Sequence, residues 1–128
     1  MLDASAAVAL LADEGEAGTW AEGAVKGMVL FAPDLMPFEV SNILRRHTVT
    51  GALDQTAAAL AHADLTTLRV DLFPYVALAD RVWELRHNLT AYDASYVALA
   101  ELLEARLVTL DARLAKAPGP RCEIIAYP

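Results

Sequence analysis

Cysteine is almost absent from this chain. Cys122 stands alone, so no internal disulfide can form, and a reducing cytoplasm is the natural setting. Long apolar runs are missing too. None approaches the roughly 18 residues of a membrane span, so no membrane role is expected. No Lys or Arg precedes Lys26, and Asp3 comes at once, so the basic start of a secretory signal is lacking. Positive charge is scarce overall. Ten Lys and Arg against seventeen Asp and Glu leave a net charge of −7, which speaks against a protein that reads DNA with a basic face. No Gly-rich phosphate loop is present. Ser5, Ser41 and Ser95 lack the elbow of a nucleophilic serine, and His47, His62 and His87 lack zinc-ligand spacing.

What remains is abundant Ala, Leu and Val in 128 residues, 56% hydrophobic, which is the size of a single domain over 1–128. Apolar periodicity switches repeatedly between helical and strand patterns. Helices are expected from Asp3 to Ala12, over Glu16–Met28, from Met36 to Thr50 with Gly51 as the left-handed stop, and over Gln55–Thr66. Further helices are expected from Pro74 through Leu89, from Thr90 to Ala105, and over Asp111–Ala117. Strands are expected at Val29–Ala32, Leu68–Phe73, Leu107–Leu110 and Ile124–Tyr127. Strands separated by helices imply right-handed crossovers: an α/β fold with a central parallel sheet of four or five short strands and helices on both faces. Only Met1 and Leu2 precede Asp3, so either a first strand there is very short or the natural gene product begins before Met1.

Four carboxylates occupy similar junctions: Asp3, Glu39, Asp93 and Asp111. Each falls where an apolar or loop segment hands over to a helix, and in a parallel sheet such junctions gather at the carboxyl ends of the strands. Singly, each has an ordinary explanation. Asp3 and Asp111 suit N-caps, Thr90 and Asp93 form a capping box, and Glu39 favours the dipole of a helical first turn. Together they would repel one another unless a divalent cation sat among them. Asn42 lies three residues after Glu39 and shares its side of a helix. Arg45-Arg46-His47 and Arg86-His87 are either solvated helix ends or phosphate contacts beside such a site.

The segments Asp3-Ala-Ser5, Pro37-Phe-Glu39 with Asn42, Leu89-Thr-Ala-Tyr-Asp93-Ala-Ser-Tyr-Val-Ala-Leu-Ala100 and Leu107-Val-Thr-Leu-Asp111-Ala-Arg resemble, in order and spacing, the PIN-domain family. More narrowly they resemble its VapC-type ribonuclease toxins. The resemblance implies an acidic quartet at Asp3, Glu39, Asp93 and Asp111, with Asn42 and Thr109 as flanking polar residues. It implies Mg²⁺ or Mn²⁺ and endonucleolytic cleavage of RNA. It further implies a cytoplasmic homodimer held inactive by a cognate antitoxin, with DNA reached only through that antitoxin. Asp3, Asp93 and Asp111 would then be direct or water-mediated ligands, with Glu39 holding a second metal or positioning water. The resemblance allows one metal or two.

An acidic toxin would attract a basic antitoxin segment, and the Trp20, Ala21, Ala24, Val25, Met28 stripe offers that segment a groove. Two rivals stand beside this reading. A phosphatase of the haloacid dehalogenase type, or another Mg-dependent phosphoryl hydrolase, would want Asp-x-Asp where Ser5 stands. A catalytically inactive PIN-like binding module would have no need of an intact quartet.

Overall fold

The computed structural model describes all residues, Met1–Pro128. Local capping fixes where four of its helices begin. Asp3 accepts a hydrogen bond from the Ala6 N–H and opens α1 (Ala4–Ala12). Asp54 accepts from Ala57 and opens α4 (Gln55–Thr67), and Thr90 accepts from Asp93 and opens α6 (Ala91–Leu102). Asp111 accepts from Arg113 and opens α7 (Ala112–Lys116). Each side-chain oxygen satisfies a backbone donor that a helix start leaves unpaired. Between them lie α2 (Glu16–Val25), α3 (Met36–Thr50) and α5 (Ala79–Glu84). The strands are β1 (Leu30–Pro33), β2 (Val70–Phe73), β3 (Leu107–Thr109) and β4 (Ile124–Ala126).

All strand pairing is parallel. β1 pairs with β2 and β3 with β4, and Leu2 joins the two ribbons. Its N–H donates to the Phe31 carbonyl at 3.2 Å, while Asp3 N–H donates to Val108 and Val108 N–H to Met1. The order across the molecule is therefore β2, β1, Met1–Asp3, β3, β4. The very short first strand of the sequence is a single bridging residue. Leu2 is fully buried, and burial of a leucine side chain contributes about 2 kcal/mol, so packing holds this joint where few backbone bonds can.

Strand order reverses at this joint. Chain entering from Leu2 steps outward through β1 and β2, then returns to the other side through β3 and β4. Right-handed crossovers then place α1–α4 over one face and α5–α7 over the other. The packing agrees: α1 lies against α2, α3 and α4, whereas α6 lies against α5, β1 and β3. Helix α6 is buried at every position from Ala94 to Ala100, as expected for a helix apolar on all sides and enclosed by a sheet and a neighbouring helix.

Several expected boundaries move. Helix α2 stops at Val25, and Gly27 turns the chain in the left-handed region (φ 71°). Met28 therefore leaves the helix and is exposed, and of the expected stripe only Ala24, Val25 and Met28 line a common small pocket, of about 130 Å³, which Trp20 and Ala21 do not join. Trp20 instead meets Tyr127 edge-on, with ring centroids 5.4 Å apart. The single helix expected from Pro74 to Leu89 is a 3₁₀ turn (Tyr75–Ala77), then the short α5, then turns. Its apolar stripe still faces the core: Leu78, Val82 and Leu85 are buried and Leu89 half-buried. Helix α6 ends at Leu102, three residues early, and Glu104 follows with positive φ. No helix is long and apolar enough to cross a membrane.

Candidate active site

The point where strand order reverses is where open parallel sheets bind ligands, outside the carboxyl ends of the strands. Asp3 follows the Leu2 bridge, and Thr109 ends β3 with Asp111 two residues on. Crossover helices run back from the carboxyl edge, so the first turns of α3 and α6 start there too. Those turns carry Glu39 and Asp93. The four junctions seen in the sequence thus converge from four elements.

Asp3 is the most enclosed. Its Oδ1 accepts from Ser5 Oγ at 2.7 Å and from the Ala6 N–H at 2.9 Å, and its Oδ2 accepts from the Thr109 hydroxyl. Burial pushes its carboxyl above the ordinary range, the charge of Asp93 adds to the push, and those three hydrogen bonds oppose it. Glu39 Oε1 accepts from Tyr96 Oη at 2.7 Å. Burial raises Glu39 as well, with Asp93 and Asp3 reinforcing it and Tyr96 opposing. Burial and then Asp111 push Asp93 up, against Thr90 and Arg113. Asp93 is thus coupled electrostatically to each of the other three acids. Asp111 is the exception. Arg113 grips it from side chain and backbone and holds its carboxyl below the usual range.

Two supporting residues were not singled out as such from the sequence. Ser5 donates to Asp3 and accepts from the Leu110 N–H at 2.9 Å, fastening the start of α1 to the end of β3. Its position two residues after Asp3 was the available signal. Tyr96 lies three residues after Asp93, on the same side of α6, and reaches Glu39 across 57 positions of sequence. No local pattern announces that contact. Burial and the carboxylates of Glu39, Asp3 and Asp93 raise the Tyr96 phenol far above its ordinary value, so it stays protonated and donates. Thr109 does sit among the acids, bonding Asp3 and accepting from the Asp111 N–H at 2.9 Å. Asn42 does not join them by any hydrogen bond. It is exposed, and its Oδ1 accepts from Arg45 Nε at 3.0 Å.

The donor set suits a hard divalent cation. It is all oxygen, it carries four formal negative charges, and three of the carboxyls are pushed toward protonation by burial and one another. As they stand, no three His, Cys, Asp or Glu side chains are grouped so as to hold a metal ion. The physical reason is visible in their partners. Asp3 is turned to Ser5 and Thr109, Glu39 to Tyr96, and Asp111 to Arg113. Closing the cluster further would bring like charges together without compensation.

Beside the acids, Ser5 and Leu110 also border a cleft of about 710 Å³ between α1, α3 and the start of α4. Arg46 and His47 line it, so one of the two basic clusters faces a concave surface next to the site. The other does not: Arg86 lies over the exposed Trp83 ring at 4.8 Å, and Trp83 belongs to no core.

Residues 1–120 match the PIN domain family model. The chain is 40% identical to Ribonuclease VapC1 of Mycobacterium tuberculosis over 125 residues, covering 97% of this chain and 94% of that protein. It is 39% identical over 128 residues to Ribonuclease VapC9 of the same species, covering 100% and 98%. Ribonuclease VapC3 of Pyrobaculum aerophilum is 37% identical over 121 residues, covering 91% and 92%. Among solved structures, PAE2754 from Pyrobaculum aerophilum superposes with a TM-score of 0.69 at 26% identity, covering 96% of this chain and 80% of that one.

Proposed function

This chain belongs to the PIN-domain family, and on that premise we propose that it is an endoribonuclease, the toxin of a toxin–antitoxin pair, hydrolysing RNA phosphodiester bonds with Mg²⁺ or Mn²⁺. The observation that carries the reading is the convergence of Asp3, Glu39, Asp93 and Asp111 on the strand-reversal edge, three of them with carboxyls raised by burial and mutual charge. Folding alone gives no reason to gather them.

These four residues would hold the cation. When bound, it would acidify a water and neutralise charge building on the scissile phosphate. The rest is done by the chain. Ser5, Thr109 and the Ala6 N–H fix the Asp3 carboxylate in one orientation. Tyr96 anchors one oxygen of Glu39 and leaves Oε2 to align a water or accept its proton. Arg46 supplies one positive charge to the adjoining cleft, whose lining also carries Asp13, Glu14 and Asp54, so an RNA backbone lying there would meet a mixed surface.

The partners follow the same logic. A basic antitoxin segment suits a protein of net charge −7, and an Arg or Lys from it could enter the acid cluster in place of the metal. Exposed Phe38, Tyr75, Val76 and Trp83 favour a homodimer that covers apolar surface.

The test is cleavage of single-stranded RNA by purified wild type and by folded Asp93→Asn. Wild type should cut in Mg²⁺ or Mn²⁺ and stop in excess chelator. Asp93→Asn should lose at least about a hundredfold in rate, the scale for removing a group that stabilises transition-state charge. Undiminished cutting in chelator, or by the variant, would remove the basis of the reading.

A further inference from the structure

Arg113 makes the only ion pair that any of the four acids enters, with Asp111, and its charge also bears on Asp93. Its guanidinium grips Asp111 with both arms, Nε to Oδ1 at 3.1 Å and Nη2 to Oδ2 at 2.9 Å. The side chain is nevertheless 92% exposed. Ion pairs this exposed are held weakly and cost little to break. The backbone N–H of Arg113 separately donates to Asp111 Oδ1 at 2.8 Å, so Asp111 keeps its place as the α7 cap if the side chain leaves.

We propose that Arg113 is an exchangeable cation. Without a divalent ion it neutralises Asp111; when Asp111 takes such an ion, the guanidinium is released and grips a non-bridging oxygen of the RNA phosphate. The proposal rests on the ribonuclease reading and adds a substrate-binding residue to it. Three features carry it. A guanidinium fork fits phosphate as well as it fits carboxylate, so the group that leaves Asp111 is already shaped for the incoming substrate. Its anchor in the first turn of α7 keeps it beside the site. Three other arginines are engaged elsewhere, Arg45 with Asn42, Arg81 with Glu101 and Arg86 with Trp83, while Arg46 lines the neighbouring cleft and pairs with none of the four acids. An ordinary surface pair between Asp111 and Arg113 would also oppose a metal ion through its charge, but it would predict no role in cleavage.

Two measurements separate these. Mn²⁺ binding to RNA-free protein is followed by calorimetry at low salt for wild type, Arg113→Gln and Arg113→Lys. Cleavage of a random-sequence single-stranded RNA pool is then measured at saturating Mn²⁺. Arg113→Gln should bind Mn²⁺ about threefold more tightly, because a competitor of surface ion-pair strength is gone. It should nonetheless cleave about tenfold more slowly at sub-saturating RNA, with less loss at saturating RNA, since a charge-assisted phosphate contact is lost from binding. Arg113→Lys keeps the charge without the fork and should fall between. Unchanged or weaker Mn²⁺ affinity in Arg113→Gln overturns the proposal, and so does tighter Mn²⁺ binding with unaltered cleavage. A wild type that cuts no RNA in Mn²⁺, with Arg113→Gln still binding Mn²⁺ more tightly, sinks the ribonuclease reading and the phosphate half of this proposal with it.

Discussion

Asp93 in the first turn of α6 and Glu101 near its end lie about 12 Å apart along one helix, at 1.5 Å per residue, yet their surroundings drive their carboxyls in opposite directions. Asp93 is raised by burial and by Asp111. Burial would raise Glu101 too, but it is outweighed. Arg81 pairs with both its oxygens, at 2.6 and 3.1 Å, and the Arg121 N–H donates at 2.7 Å, so the carboxyl sits below its usual range. Arg81 also reaches Glu84 and the Gly119 carbonyl, so one guanidinium ties α5, α6 and the loop before β4 together. At the amino edge of the sheet, then, acids are balanced and serve the fold. At the carboxyl edge they crowd together, and only Asp111 has an ion-pair partner, Arg113. A chain that balances Glu101 so fully could have balanced Asp93; leaving it unbalanced marks the carboxyl edge as built for something from outside.

Removing the balance at the amino edge should have the largest effect on stability. Glu101→Gln strips a hydrogen-bonded charge from Arg81, and urea unfolding at neutral pH should show a loss of about 2 kcal/mol. Its RNA-cleavage rate per folded molecule should stay at the wild-type level. A negligible loss would mean that Glu84 and Gly119 suffice for Arg81, and that the amino edge is less dependent on balance than described.

The same experiment at the other edge should have the opposite sign. Asp93→Asn keeps the shape and removes one of the mutually repelling charges, so the cation-free protein should gain stability, by less than about 1 kcal/mol because the site is partly open to solvent. A clear loss instead would show that Asp93 is held by favourable contacts rather than crowded by like charge.

The pH response sharpens the contrast with a smaller effect. Asp3, Glu39 and Asp93 bind protons more tightly folded than unfolded, so their contribution is full below the unfolded value and is lost as pH rises through the folded one. Cation-free protein should therefore lose stability as pH climbs from about 4 toward neutral. Glu101 and Asp111 are depressed, so their contribution is present above the ordinary carboxylate range and is lost only at lower pH. Saturating Mg²⁺ should flatten or reverse the slope above pH 4, because the cation binds ionised carboxylates. A slope indifferent to Mg²⁺ would contradict that.

How much of this could be read from the residues follows from the range of each interaction. Helix starts at Asp3, Asp54, Thr90 and Asp111 were legible because capping spans two or three residues. So was the span of α3, with Gly51 in the left-handed region at its end. The four acids were legible because each marks such a start. Contacts made across the fold were not. Tyr96 finds Glu39, and Thr109 finds Asp3, only after strand order is set. Asn42 shares a side of α3 with Glu39 but turns to Arg45, a nearer partner three residues on. The segment after Pro74 keeps its apolar stripe yet breaks into a 3₁₀ turn and a short helix, because spacing alone cannot distinguish a continuous helix from two pieces burying the same side.

The central claim is that the carboxyl edge is an acid cluster short of a cation. Thermal unfolding of RNA-free wild type and Asp93→Asn across a Mn²⁺ titration tests it most directly. Wild type should gain stability with concentration, reaching about 2.7 kcal/mol at a hundredfold excess over its dissociation constant, and Asp93→Asn should lose most of that gain. No Mn²⁺-dependent rise in the wild type, or an equal rise in both proteins, would contradict the claim.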